Sequence, residues 1–277
     1  MRKGRLLTSL LIHGFLSTML IIALFPVFFV LQAAVRPGQS LYTLTLSLWP
    51  SHPTLDNFKY ILTQIPFPLW LRNSLVVCAA TMVAGLVGSA TGAYALSRFR
   101  FAGKRMTLIT LLAIQSFPTV LALVPIYIIL RLVHLVGTPF GLILAYVSVA
   151  LVFAAWNLKG YFDTIPRELD EAALIDGCTP TQAFIRITLP LAVPALAVTA
   201  LLMFITGWNE WVMAQTLLSD ENNYTVPVGL WGLQNDYRIP WGYFASAALI
   251  VSIPIMTLFL LLQRYLRAGL TLGGVKG

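Results

Sequence analysis

Six apolar runs, at 10–33, 74–96, 107–130, 139–158, 189–208 and 243–263, leave this chain few folds to choose from. Each is long enough to cross the hydrocarbon of a bilayer as a helix, which takes about 20 such residues. Where no water reaches the backbone, only helices and closed barrels satisfy every N–H and C=O. The short segments of alternating polarity that a membrane barrel needs are absent, and the runs are uniformly apolar. Only 10% of the residues are charged, against about 25% in an ordinary soluble domain. The expected fold class is therefore all-α integral membrane, with six transmembrane helices. Arg2, Lys3 and Arg5 precede the first run as they would in a signal peptide. That run extends from Leu10 past Val30, beyond the roughly 7–15 apolar residues of a signal core, so it reads as an anchor.

Basic residues set the expected orientation. With the N-terminus inside, inner segments hold Arg2, Lys3, Arg5, Arg98, Arg100, Lys104, Arg105, Lys159, Arg167, Arg186, Arg264, Arg267 and Lys276, which is 13 of the 18 Lys and Arg. The ten acidic residues divide evenly, so only the cations are biased, as the positive-inside rule requires. Both termini are then expected on the cytoplasmic side. The net charge of +8 reports topology, and no nucleic-acid partner is expected. Cys78 and Cys178 lie in different environments and in no metal-ligand spacing, and His13, His52 and His134 form no cluster, so no metal site is expected.

The chain divides into 1–69, a leading helix with a long outer connection, then 70–265 carrying five spans, then a tail at 266–277. The outer connection is rich in Pro and aromatic residues and long enough to hold an interfacial segment. A second outer segment at 209–242 carries Trp211, Trp231, Trp241 and most of the outer acids. It reads either as an interfacial aromatic belt or as a surface turned to a partner. Gly85, Gly88 and Gly92 suit close helix contacts, and Pro118, Pro125 and Pro254 suit kinks.

The inner loop at 159–188 is unlike the rest. Pro166 suits a first helical position, and Glu168, Asp170 and Glu171 place acids near the positive end of the helix dipole. Gly177 suits a left-handed stop. Thr179-Pro180-Thr181-Gln182 has the residues of a capping box, so a second helix starts there and runs to Pro190. Ala172 and Ala173 let another protein approach closely. A soluble-looking helix-turn-helix between two spans reads as a docking site for a separate motor. An amphipathic loop lying on lipid headgroups would need neither the paired Ala residues nor the rigid turn.

Glu171-Ala172-Ala173, Gly177 after three residues, then Ile187, Leu189 and Pro190 after nine more, resembles the signature of the membrane subunits of binding-protein-dependent ABC importers. Ile165 to Leu169, Trp208-Asn209-Glu210-Trp211 and the ending Gly269 to Gly277 make the chain similar to the carbohydrate importers, and to the smaller permease of maltose/maltodextrin-type systems. Gly274 departs from the Ala frequent in such tails. The resemblance implies a type-1 importer fold and a second homologous permease as heterodimer partner, although no residue excludes a homodimer. It also implies two cytoplasmic ATPase subunits and an extracytoplasmic sugar-binding protein. The implied place is the inner membrane of a bacterial or archaeal cell.

In that family the loop is a coupling helix, which assigns ATPase coupling to Glu168, Glu171, Ala172, Ala173, Asp176, Gly177, Ile187, Leu189 and Pro190. The tail would touch the ATPases. No phosphate-cradling Gly-x-x-x-x-Gly-Lys-Ser/Thr segment occurs, so no catalytic residue or bound cofactor is expected here, and ATP and Mg belong to the partners. Mid-span polar residues Gln115, Ser116, Tyr146, Ser148 and Thr199 are candidates for the sugar path, with helix packing as their ordinary role. Trp208, Asn209, Glu210 and Trp231 are candidates for the surface that meets the binding protein. A non-carbohydrate ABC importer, for an amino acid, a polyol or a phosphate ester, is the alternative reading. A secondary transporter is disfavoured, because no ionisable residue lies deep in a span.

Overall fold

The computed structural model describes residues 2–39, 49–234 and 239–273, with side chains for 8–39, 49–234 and 239–265. Arg2, Lys3, Arg5, Arg267 and Lys276, used above to set orientation, have side chains outside that set, as does the whole family-like ending Gly269 to Gly277. The chain forms two compact units, Met1–Pro68 with Leu230–Ile253 and Leu69–Gly229 with Pro254–Gly277.

In the first unit α1 (Arg2–Val35) is one unbroken helix despite Pro26. Leu10, Phe15, Ile21 and Phe25 on it are all exposed, as a surface that meets acyl chains requires. The end of α1 is fastened to α2 (Asp56–Thr63), a short helix inside the long connection. Buried Asn57 donates from Nδ2 to the carbonyls of Ala34 and Arg36, each at 2.9 Å, so one acceptor in the last turn of α1 and one just past it are satisfied. Tyr60 stacks on Tyr243 of α13 (Trp241–Gly273) at 4.0 Å between ring centroids. Gly242 is required beside them, since a Cβ there would come within 2.7 Å of the Asn57 amide. Helix α13 runs without a break past Pro254 and continues to 273, so the backbone of the tail expected from 266 is largely helical.

The second unit is built on α3 (Phe67–Arg98), which starts seven residues before the expected span, and α6 (Pro139–Phe162). Thr138 caps α6 by accepting from Gly141 N, with Pro139 at the first position, where its missing N–H costs nothing. The third expected span is two helices, α4 (Lys104–Gln115) and α5 (Thr119–Leu132), at 106° to each other. Pro118 is more than a kink here: without an N–H, and with the residue before it pushed out of the helical region, it ends α4 outright. Pro125 lies within α5.

The fifth expected span is also broken. Pieces α8 (Pro180–Ala183), a π-helical turn (Phe184–Thr188) and α9 (Leu189–Leu191) precede α10 (Val193–Asn209), with a 79° bend between the two parts. Pro190 and Pro194 remove two donors around that bend. After α10 the segment expected to be an outer loop carries α11 (Val212–Leu217) and α12 (Val226–Trp231). Counting each bent pair as one span gives six membrane-spanning segments, and no strand occurs among the described residues.

Two clusters hold this unit together. One joins Val77, Leu142, Ala145, Tyr146, Met213, Leu217 and Val228 from α3, α6, α11 and α12. The other joins Ala90, Ala93 and Tyr94 of α3 to Leu158 and Phe162 of α6 and Phe184 of the π turn. Small residues permit the approach of α3 to its neighbours: a Cβ on Gly85 would overlap Met203 Cε, and one on Gly88 would lie 3.0 Å from Leu151. Gly92 meets nothing within 4 Å, so within the chain it does not serve as the expected contact.

Candidate functional site

The loop after α6 folds into α7 (Arg167–Ile175), with Pro166 at the N-cap, one place before the first helical position expected for it. Gly177 has φ +87°, the left-handed conformation that closes a helix without a Cβ clash. The capping box is present: Gln182 N donates to Thr179 Oγ1 at 3.3 Å and Thr179 N donates to Gln182 Oε1 at 2.8 Å. The second helix is only four residues of α8 before it widens into the π turn, a feature without a local sequence signal.

What fixes α7 to the spans is an ionic core that the sequence reading missed. Arg98, the last residue of α3, donates from Nε to Asp170 Oδ2 at 2.6 Å, with side chains only 6% and 8% exposed. The same guanidinium donates from Nη2 to Ile165 O at 2.9 Å, and Thr188 Oγ1 in the π turn donates to Asp170 Oδ1 at 2.7 Å. One carboxylate therefore ties α7 to α3 and to the approach of α10. Beside it, Ser97 Oγ donates to Asp163 Oδ1 at 2.7 Å, Lys159 pairs with the other oxygen of Asp163, and Arg167 Nη2 donates to Ser97 O at 2.9 Å. Burial alone would raise the Asp163 carboxyl, but the hydrogen bonds from Lys159 and Ser97 and the nearby cations hold it below the ordinary carboxylate range.

Below this network Tyr94 packs on Phe184 at 4.6 Å and edge-on to Phe162 at 6.4 Å, so polar ties sit on an aromatic floor. Buried ion pairs of this kind contribute geometry more than net stability.

The expected coupling residues divide between the two faces of α7. Glu168, Glu171, Ala172, Asp176 and Gly177 are exposed. Ala173 is 6% exposed and faces its own chain, which corrects its assignment to an outward docking surface: it lies three residues from Asp170, on the helix's buried stripe. Glu168 and Asp170 stand in the first turn of α7 as expected, and Asp170 additionally has both oxygens held by Arg98 and Thr188. Ile187 and Leu189 are half-buried and Pro190 is exposed. Outward-facing apolar residues that no sequence argument singled out are Leu169, Leu174, Ile185 and above all Ile175, which is 86% exposed.

Of the five sugar-path candidates, the fold brings Gln115 and Ser148 to one cavity of about 380 Å³ at the α4–α5 break, lined also by Phe117, Thr119 and Phe153. Ser148 Oγ donates to Ala145 O at 2.7 Å and keeps acceptor capacity. Ser116 is exposed at the break, its hydroxyl bonded back to Leu112 O. The other two are elsewhere. Thr199 is fully buried with an unpartnered hydroxyl, and Tyr146 is buried and donates from its OH to Glu210 Oε2 at 2.9 Å.

Glu210 also accepts from the N–H groups of Met213 and Ala214, so it caps α11. Trp208 is 3% exposed and stacks on Phe204, which removes it from the expected partner-facing surface. Its ring is packed in the core, although its indole N–H is buried there without a hydrogen-bond partner among the described residues. Asn209 is exposed with its amide bonded back to Ile205 O, and Trp231 is 53% exposed. Among the described residues no group of His, Cys, Asp or Glu could hold a metal ion.

Residues 82–271 match the family described as the binding-protein-dependent transport system inner membrane component. The chain is 40% identical over 294 residues to the maltose/maltodextrin transport system permease protein MalG of Yersinia pestis, covering 99% of this chain and 96% of the relative. It is 36% identical over 280 residues to the galactooligosaccharides transport system permease protein GanQ of Bacillus subtilis, covering 100% and 97%. Among solved structures, a chain of a bacterial ABC transporter involved in the import of the acidic polysaccharide alginate aligns with a TM-score of 0.80 over 96% of this chain and 98% of that one, at 22% identity. At that identity the likeness speaks for the fold, the type-1 importer permease.

Proposed function

The chain belongs to the binding-protein-dependent transport system inner membrane components, the permease subunits of ABC importers and not enzymes, and from that membership we propose that it passes a sugar through the membrane under the drive of partner ATPases. The observation that carries the mechanism is the Arg98–Asp170–Thr188 tie. It makes α7 a lever fastened to α3 and to the π turn before α10, while Ile175, Leu174, Ala172 and Glu171 stay open for a partner. An induced conformational change needs a partner with different affinity for the two states. ATPase subunits that bind ATP and Mg supply that difference beneath α7, with the loop and both termini cytoplasmic.

A second permease, homologous to this one, completes the membrane pathway, and an extracytoplasmic binding protein delivers the solute to the opposite side. The substrate is then maltose, maltodextrin, trehalose or a similar oligosaccharide; the permeases named above, for maltose/maltodextrin and for galactooligosaccharides, support an oligosaccharide. It is supported too by the Gln115 and Ser148 groups beside the Phe117 and Phe153 rings, the mixture of hydrogen-bonding groups and aromatic faces that an uncharged polyhydroxyl ligand requires.

The test is to purify the chain with the subunits that accompany it, reconstitute the assembly and measure ATP hydrolysis with the cognate binding protein across a sugar panel. Stimulation by one sugar is the expected result. A copurified ATPase that responds only to an amino acid, polyol or phosphate ester would move the substrate outside carbohydrates. Absence of any ATPase would overturn the coupling reading.

A further inference from the structure

We infer that the turn between α3 and α4 is a binding site for the headgroup of an anionic phospholipid, with its acyl chain running along α4. Arg100 and Arg105 are exposed and make no hydrogen bond or ion pair among the described residues. Lys104 donates to Phe99 O at 3.0 Å and lies within electrostatic reach of Arg100, Lys159 and Arg167. The acid near this group is Asp163, which is already engaged by Lys159 and Ser97. The neighbouring Arg98 is neutralised by Asp170 and contributes nothing to the excess. The patch thus presents several cations to one occupied carboxylate, an arrangement that lowers its own free energy by taking up an anion.

The shape of the ligand follows from what surrounds the charge. A shallow hollow of about 540 Å³ is lined by Phe101, Gly103, Lys104, Arg105, Met106 and Leu108, which sets two cations among three apolar side chains. Gly103, at φ +90°, makes the turn that sets Lys104 and Arg105 beside Phe101. From Arg105 an apolar stripe continues at helical spacing through Leu108, Ile109 and Leu112, the last two 48% and 43% exposed, over a rise of about 10 Å. A free phosphate or a nucleic acid would use the cations and leave that stripe idle. A phosphate carrying an acyl chain uses both, and α4 already lies in a membrane-spanning segment. The site adjoins the Ser97–Asp163–Lys159 tie, so an occupied headgroup also relieves repulsion on Lys159 and Arg167 next to the lever.

The test is native mass spectrometry of the intact assembly, purified with its accompanying subunits and titrated with phosphatidylglycerol or phosphatidylcholine. The wild type should retain phosphatidylglycerol in preference to phosphatidylcholine. Taking about a fivefold contribution for each cation near an anionic surface, the combined variant R100Q/K104Q/R105Q should bind it roughly a hundredfold more weakly. The charge-keeping variant R100K/K104R/R105K should bind it as wild type does, and K59Q, which removes an exposed cation elsewhere, should too. Equal retention by the neutralised variant, an equal loss in K59Q, or loss in the charge-keeping variant would overturn the site. Displacement by excess inorganic phosphate would overturn the assignment to a lipid. Because the readout is lipid retention, it does not depend on the transport reading.

Discussion

Arg98 and Asp170, 72 residues apart in sequence, meet at 2.6 Å behind α7, and neither side chain is more than 8% exposed. Removing one partner leaves the other charge buried and unpaired, which in such sites costs about 3–5 kcal/mol. Arg98→Ala and Asp170→Ala should each lower thermal stability and abolish solute-stimulated ATP hydrolysis. The double change Arg98→Met with Asp170→Leu should recover most of the stability while coupling stays impaired. Full coupling in that double variant would mean that the tie is only structural.

Ile175 and Gly177 separate contact from conformation. Ile175→Asp replaces an exposed side chain, so stability should stay within about 0.5 kcal/mol while the ATPase no longer copurifies. Gly177→Ala has room for its Cβ but adopts φ +87° at a cost of about 1–2 kcal/mol, and should weaken both properties mildly. Gly177→Asp adds a charge to the same contact face and should leave the protein inserted but uncoupled.

Asp163 gives a pH signature. Its carboxyl is held below the ordinary value of 3.8, so its contribution is fully present above that value and is lost only as pH falls through the lowered one. Melting temperatures of wild type and Asp163→Asn should therefore differ at neutral pH and converge in acid. A difference that persists at low pH would place the effect elsewhere.

Close packing offers a graded comparison. A Cβ on Gly229 would lie 2.2 Å from the Trp70 ring, which is held by its Nε1 bond to Glu221 O at 3.2 Å. Gly229→Ala should cost about 1–3 kcal/mol. Gly85→Ala meets the flexible end of Met203 and should cost less. The order of the two melting temperatures checks this.

Local rules carried the reading furthest where local physics decides. The capping box at Thr179 and the left-handed Gly177 follow from residue types alone, and six apolar runs suffice for six crossings. The same rules fell short wherever a partner distant in the chain decides. Arg98 counted as one more inner cation because nothing beside it announces Asp170 or Thr188. Trp208 looked like an interface residue until Phe204 supplied its stacking partner. The break at Pro118 exceeded a simple kink: α4 and α5 meet there at 106°. For α7 a usable signal did exist: Asp170 and Ala173 share one stripe while Leu169 and Ile175 lie off it, so the apolar residues could not all face inward.

Above all, we propose α7 as the surface on which an ATPase pushes. The most direct measurement places a photo-crosslinking side chain at position 175 in the assembled importer and follows the adduct with and without ATP. A cross-link to the ATPase whose yield changes with nucleotide is expected. An adduct with lipid alone, or no adduct while transport proceeds, would contradict it.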